Sequence, residues 1–164
     1  MFLVFDTETT GLPKRWNAPI DDLDNWPRCV QLAWQLHDAN GKLIENQNYL
    51  IKPVDFDIPF ESEKIHGIST ELAKIHGDEL DFVLKQFEKA LNKAQFIVGH
   101  NINFDKNIIG AEFLRVGNKK LNLKKFGILD TCTEHTASLC RLQGGRGGRF
   151  KLPTLVELYY FIYN

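Results

Sequence analysis

Residues 2–11 read Phe2-Leu3-Val4-Phe5-Asp6-Thr7-Glu8-Thr9-Thr10-Gly11. Phe2 to Asp6 is a short apolar run rich in strand formers, and the polar, Thr-rich Thr7 to Gly11 segment predicts a turn, so the chain opens on a buried strand. Asp6 and Glu8 stand two apart, which on a strand turns both carboxylates to one face. Like charges beside a core repel and desolvate each other unless something positive lies between them, and a hard divalent cation with oxygen ligands meets that need. The plain alternative is a strand ending in two acids that simply meet water.

Downstream, Pro13 to Pro27 holds three prolines, a cluster of Asp and Asn, and Trp16 and Trp26, and reads as a long surface loop. Cys29 to His37 and Leu43 to Ile51 read as strands joined at Asp38-Ala39-Asn40-Gly41, where Asn-Gly supplies the positive φ angles of a tight hairpin. After Pro59 the pattern turns helical. A short helix is predicted near Ser69 to Ile75 and a longer one over Asp78 to Ala94, where Leu80, Val83, Leu84, Phe87 and Leu91 recur at helical spacing behind Asp78 as N-cap. Phe96 to Val98 is a brief strand, leading through Gly99-His100-Asn101 into a helix from about Asn103 to Val116. A second such switch ends at Ile128-Leu129-Asp130, with Thr131-x-x-Glu134 as a capping box. The last predicted helix starts near Pro153.

The opening motif Phe5-Asp6-Thr7-Glu8-Thr9-Thr10-Gly11 resembles the first motif of the DEDD, or DnaQ-like, 3′→5′ exonucleases, the family of the proofreading epsilon subunit of bacterial DNA polymerase III. Ile65-His66-Gly67-Ile68 is similar to that family's His-Gly-Ile segment, His100-Asn101-x-x-Phe104-Asp105 to its second motif, and Leu129-Asp130-Thr131 and Lys151-Leu152-x-x-Leu155 follow in the family's order. The resemblance covers nearly the whole chain. It implies an α/β fold of the ribonuclease H-like kind: a mixed sheet with antiparallel first three strands, then parallel strands, and helices on both faces. It implies two Mg²⁺ or Mn²⁺ ions, with Asp6 bridging them, Glu8 holding one and touching the terminal 3′-hydroxyl, and Asp105 holding the other. Thr9, Thr10, Gly11, His66, Asn101 and Phe104 become substrate-binding residues. His100 and Asp130 read as structural.

The family completes its site with a third motif, His-x-x-x-x-Asp or Tyr-x-x-x-Asp, after the Lys-Leu-x-x-Leu segment, yet no Asp follows Asp130. His135 to Cys140 mimics the His version with Cys140 in place of Asp and in the wrong order. Residues 1–164 are therefore expected to form a single exonuclease domain cut off before its third motif, and to be weakly active or inactive by themselves. The epsilon-like opening implies a His-type motif, and a DNA polymerase III alpha subunit or a fused polymerase region as partner.

The net charge of −1 hides an asymmetry: residues 1–105 hold ten Lys/Arg against seventeen Asp/Glu, and residues 106–164 hold ten against four. Lys119, Lys120, Lys124, Lys125 and Arg141 lie in the basic part, and Arg146, Arg149 and Lys151 are its candidate phosphate contacts to a single DNA strand. A solvated loop is the alternative. With 43% hydrophobic and 12% aromatic residues, 164 residues are ample for one core. The three cysteines lack the spacing of a zinc knuckle or a disulfide framework, and no stretch has the length of a membrane span, so the reading is cytoplasmic. Three rivals remain: an RNA 3′-end exonuclease of the same family, an aspartyl-phosphate phosphatase, and a non-catalytic polymerase-docking domain using the Trp16 and Trp26 loop.

Overall fold

The computed structural model describes residues 1–117 and 121–164. Strand β1 (Phe2–Thr9) turns Leu3, Phe5, Thr7 and Thr9 inward and leaves Val4 and Asp6 outward. It runs three residues into the expected turn, because Thr7 and Thr9 continue the alternation, and threonine suits a strand. Strands β2 (Cys29–His37) and β3 (Leu43–Leu50) follow as an antiparallel meander, and β4 (Phe96–Gly99) and β5 (Gly127–Asp130) add in parallel. The order β3-β2-β1-β4-β5 places β1 at the centre, antiparallel to β2 and parallel to β4. This is the mixed sheet expected from the resemblance.

Helices α1 (Phe60–His66), α2 (Thr70–His76), α3 (Leu80–Leu91) and α4 (Ile102–Arg115) precede α5 (Glu134–Cys140) and α6 (Leu155–Tyr163). Leu84 and Phe87 of α3 and Ile108 and Ile109 of α4 join Leu3, Phe5, Leu32 and Trp34 of the sheet in one core, with Phe87 edge-on to both Phe5 and Trp34. Fully burying a side chain of this size is worth about 1.5–3 kcal/mol. On the other sheet face, Leu155 at the start of α6 lines one hollow with Val4, Ala33 and Val98.

Several local expectations change. Helix α1 went unpredicted, since Phe60-Glu61-Ser62-Glu63-Lys64 offers only one buried side chain, Ser62. Asp78 caps nothing: it forms a parallel bridge with Ile51, and Glu79 starts α3 without a side-chain cap. Only Gly41 has a positive φ in the hairpin, whose turn is held by the Asp38 carboxylate accepting from the amides of Asn40 and Lys42. The capping boxes fall at Thr133 with Thr136 and at Thr154 with Glu157, not at Thr131 with Glu134, and Pro153 precedes α6. All three cysteines are free, Cys29 buried.

Candidate active site

Asp6 and Glu8 lie at the end of β1 on the sheet face away from α3 and α4. Asp6 counts as exposed by area, yet it borders a hollow of about 370 Å³ with Val4, Trp34, His100 and Leu155. Desolvation in that concavity is the largest influence on it and raises its pKa, against the opposing Thr7 amide and His100. Glu8 is raised too, first by desolvation and then by the charge of Asp6, with His66 acting the other way. The main charged groups acting on the two acids are His100 on Asp6, and Asp6 and His66 on Glu8.

Asp105 sits in the first turn of α4 and is 2% exposed. Its Oδ1 accepts from the Thr7 amide at 2.9 Å and the Thr7 hydroxyl at 2.6 Å. Strand alternation sends Thr7 inward, so Asp105 reaches β1 from the interior while Asp6 and Glu8 stand on the other face. Burial pushes the Asp105 carboxyl up to about 7, Thr7 opposes this, and the neighbouring Asp6 adds to it. Asp6 thus acts on both Glu8 and Asp105, but among the described residues no three acidic, His or Cys side chains gather around a common point. Sequence reasoning put Asp105 beside the pair and missed Thr7 as the link between them.

The remaining expected residues are placed by backbone geometry. Thr9 donates its hydroxyl to the Gly11 carbonyl at 2.7 Å, and Thr10 pairs with Arg28 through amide and hydroxyl at 3.0 Å each. His66 ends α1, where left-handed Gly67 turns the chain so that the Ile68 amide donates to His66 Nδ1 at 3.1 Å. That bond leaves the proton of the neutral ring on Nε2, a buried atom without a partner among the described residues. Asn101 adopts φ +62, which Asn tolerates, and its amide donates to Asp130 Oδ1. Phe104, one turn into α4, touches the ring of Trp16.

His100 is tied down at both ring nitrogens, to Thr131 Oγ1 and the Pro153 carbonyl at 2.9 Å each, which agrees with a structural role. Half-buried Asp130 accepts from Asn101 and Cys132 and so fixes the turn before α4. Among the described residues, the expected phosphate contacts Arg146, Arg149 and Lys151 make no hydrogen bond or ion pair to Asp6, Glu8 or Asp105. Arg149 pairs with Glu134 at 2.7 Å, and Lys151 is held by both oxygens of Glu157, whose carboxyl that ammonium draws down to about 2. Arg146 has no ion-pair partner among the described residues, and lines with Arg149 a hollow of about 760 Å³. Lys119, Lys120 and the Lys124 side chain lie outside the described residues.

The sequence matches the RNase_T family, described as Exonuclease, over residues 3–159. It is 30% identical over 130 residues to a PolC-type DNA polymerase III of Listeria innocua, covering 79% of this chain and 8% of the relative. With a PolC-type enzyme of Listeria welshimeri the identity is 27% over 98% of this chain and 10% of the relative. The chain therefore spans about a tenth of these relatives. Among solved structures, E. coli Exonuclease I bound to a 5cy-dA13 oligonucleotide superposes with a TM-score of 0.74 at 18% identity, over 99% of this chain and 36% of that one. An Exonuclease I–SSB-Ct complex gives 0.73 at 18% over 98% and 35%. At this identity the likeness establishes the fold.

Proposed function

Because this chain belongs to the RNase_T exonuclease family, we propose that it removes nucleoside monophosphates stepwise from DNA 3′ ends, in the service of a replicative polymerase. The observation that carries this is the side-by-side placement of Asp6 and Glu8 at the end of β1, with buried Asp105 repelling Asp6 from behind through Thr7. Three carboxylates, as hard oxygen donors, fit Mg²⁺ or Mn²⁺ and suit softer metals poorly. Asp6 and Glu8 would hold the ions directly, and Asp105 would complete the set by turning from Thr7 or by adding its charge. When bound, a pair of such ions supplies an activated water and neutralises the leaving 3′-oxygen. The polymerases that share 27–30% identity with this chain are PolC-type DNA polymerase III, which supports a polymerase partner.

The protein's own groups do the positioning. His66 beside Glu8 and the Thr9 to Gly11 turn flank the terminal nucleotide, Phe104 gives a base an apolar wall, and Arg146 and Arg149 meet phosphates further along. No Asp follows Asp130, so neither a His-x-x-x-x-Asp nor a Tyr-x-x-x-Asp motif stands after Lys151-Leu152-x-x-Leu155 in residues 1–164. Loss of a general base alone removes about 10² to 10⁴ in rate, so the reaction on these residues is slow. The test is release of dTMP from an oligothymidylate with Mn²⁺, compared between the chain and Asp6→Ala. A weak, metal-dependent release abolished by Asp6→Ala is expected. Equal release from an oligoribonucleotide would shift the substrate to RNA, and release unaffected by Asp6→Ala would remove the reading.

A further inference from the structure

The loop between β1 and β2 is long, but it is strapped along the whole of α4. Next to the first turn of α4, Trp16 meets Phe104 with ring centroids 5.9 Å apart and planes at 49°. In mid-helix Ile20 lies over Gly110 so closely that a Cβ there would fall 2.1 Å from Ile20 Cδ1. At the end of the helix, Arg115 donates to the carbonyls of Leu23, Trp26 and Pro27, and Glu112 Oε1 accepts from Arg28, Arg115 and the Cys29 amide. Across the loop, the buried Asn25 side chain bonds Arg15 through both its amide and its carbonyl at 2.8 and 3.0 Å, and Lys14 donates to the Asn25 carbonyl.

Of the three tryptophans, Trp26 and Trp34 are buried and give their indole N–H to Pro19 and Glu45. Trp16 is 57% exposed, although the backbone on either side of it is fixed. A large aromatic face held out by a braced loop binds without first being ordered. It stands at the helix turn that carries Phe104 and Asp105, with Lys14 and Arg15 preceding it. The loop's acids lie on its far limb, where Asp22 is paired with Arg15 and Asp24 acts on Arg115.

We propose that Trp16 is a stacking platform for a nucleobase of the single strand whose 3′ end lies at Asp6 and Glu8. This rests on the exonuclease reading and adds a residue on which none of the motifs bears. Every base has a π face, so the contact holds a strand without reading its sequence. Two measurements on the 164-residue chain test it, both in Ca²⁺ buffer to limit cleavage. A fluorescein-labelled twelve-residue oligothymidylate is titrated by anisotropy, and unlabelled oligothymidylate is titrated against tryptophan emission. Trp16→Ala is expected to weaken binding about ten-fold and Trp16→Phe to keep most of it, with unchanged Tm. The long-wavelength part of the emission, which comes from the one exposed indole, is expected to be quenched by oligonucleotide in the unaltered chain and to be missing in Trp16→Ala. Equal affinity of Trp16→Ala and the unaltered chain, or binding without quenching, overturns the platform and leaves the exonuclease reading standing. No binding by any variant in either measurement removes both.

Discussion

At the scale of single residues, Asp105 has the most to say about conditions. Its carboxyl is pushed up to about 7 from an ordinary 3.8, chiefly by burial. A group whose folded pKa is raised binds its proton more tightly in the folded chain, so its contribution to stability is complete below about pH 4 and is lost as pH rises towards about 7. Without metal, Tm is therefore expected to fall between pH 5 and 8. Asp105→Asn, which still accepts from Thr7, is expected to flatten that fall and to raise Tm by several °C at pH 8, as thermal unfolding in EDTA would show. Mn²⁺ is expected to stabilise the unaltered chain at pH 8 more than at pH 5 and to stabilise Asp6→Ala little, because a cation competes with protons for the same oxygens. Equal metal stabilisation of the unaltered chain and Asp6→Ala would place the ion elsewhere.

At the scale of elements, the braced loop and α4 form one mechanical unit. Glu112 is fully buried and is approached at Oε1 by two guanidinium groups, while Oε2 has no partner among the described residues. Breaking such a pair from one side costs about 3 kcal/mol. Glu112→Ala is expected to lose about that much in urea unfolding, and to open residues 13–28 to trypsin at Lys14 and Arg15 while the core remains folded. How far the sequence foretold these elements depends on what each one rests on. β1, β2 and α3 were readable because their burial follows a clean period, and α4 because Phe104 and Asp105 belong to a motif. The bracing of the loop was not readable, since it uses Arg115 and Glu112, residues that by themselves read as an ordinary solvated helix end. Likewise, the shared face of Asp6 and Glu8 follows from two-residue spacing, whereas the turn of Asp105 towards Thr7 depends on a side chain arriving from α4 on the interior face of the sheet. Pattern within one segment shows which way a residue faces. It does not show what meets it.

At the scale of the whole molecule, charge follows function only in part. The acidic first part of the chain holds the carboxylates, and the basic remainder offers Arg146 and Arg149 outside it. If these two meet phosphates, affinity for single-stranded DNA is expected to fall with added salt. The joint replacement Arg146→Ala and Arg149→Ala is expected to reduce the slope by about one to two counterions. An unchanged slope in anisotropy titrations would leave them a solvated loop. Among the described residues no helix is long and apolar enough to cross a membrane.

One consequence of α4 has to do with inheritance of change. Its first turn carries Asp105 and Phe104, and its last turn carries the loop's anchors, ten residues or about 15 Å away along the axis. Substitutions that lengthen, shorten or repaint the strap between them can alter which strands are received without touching any atom of the carboxylates. A lineage built on this helix can therefore vary its appetite for substrates while its chemistry stays fixed.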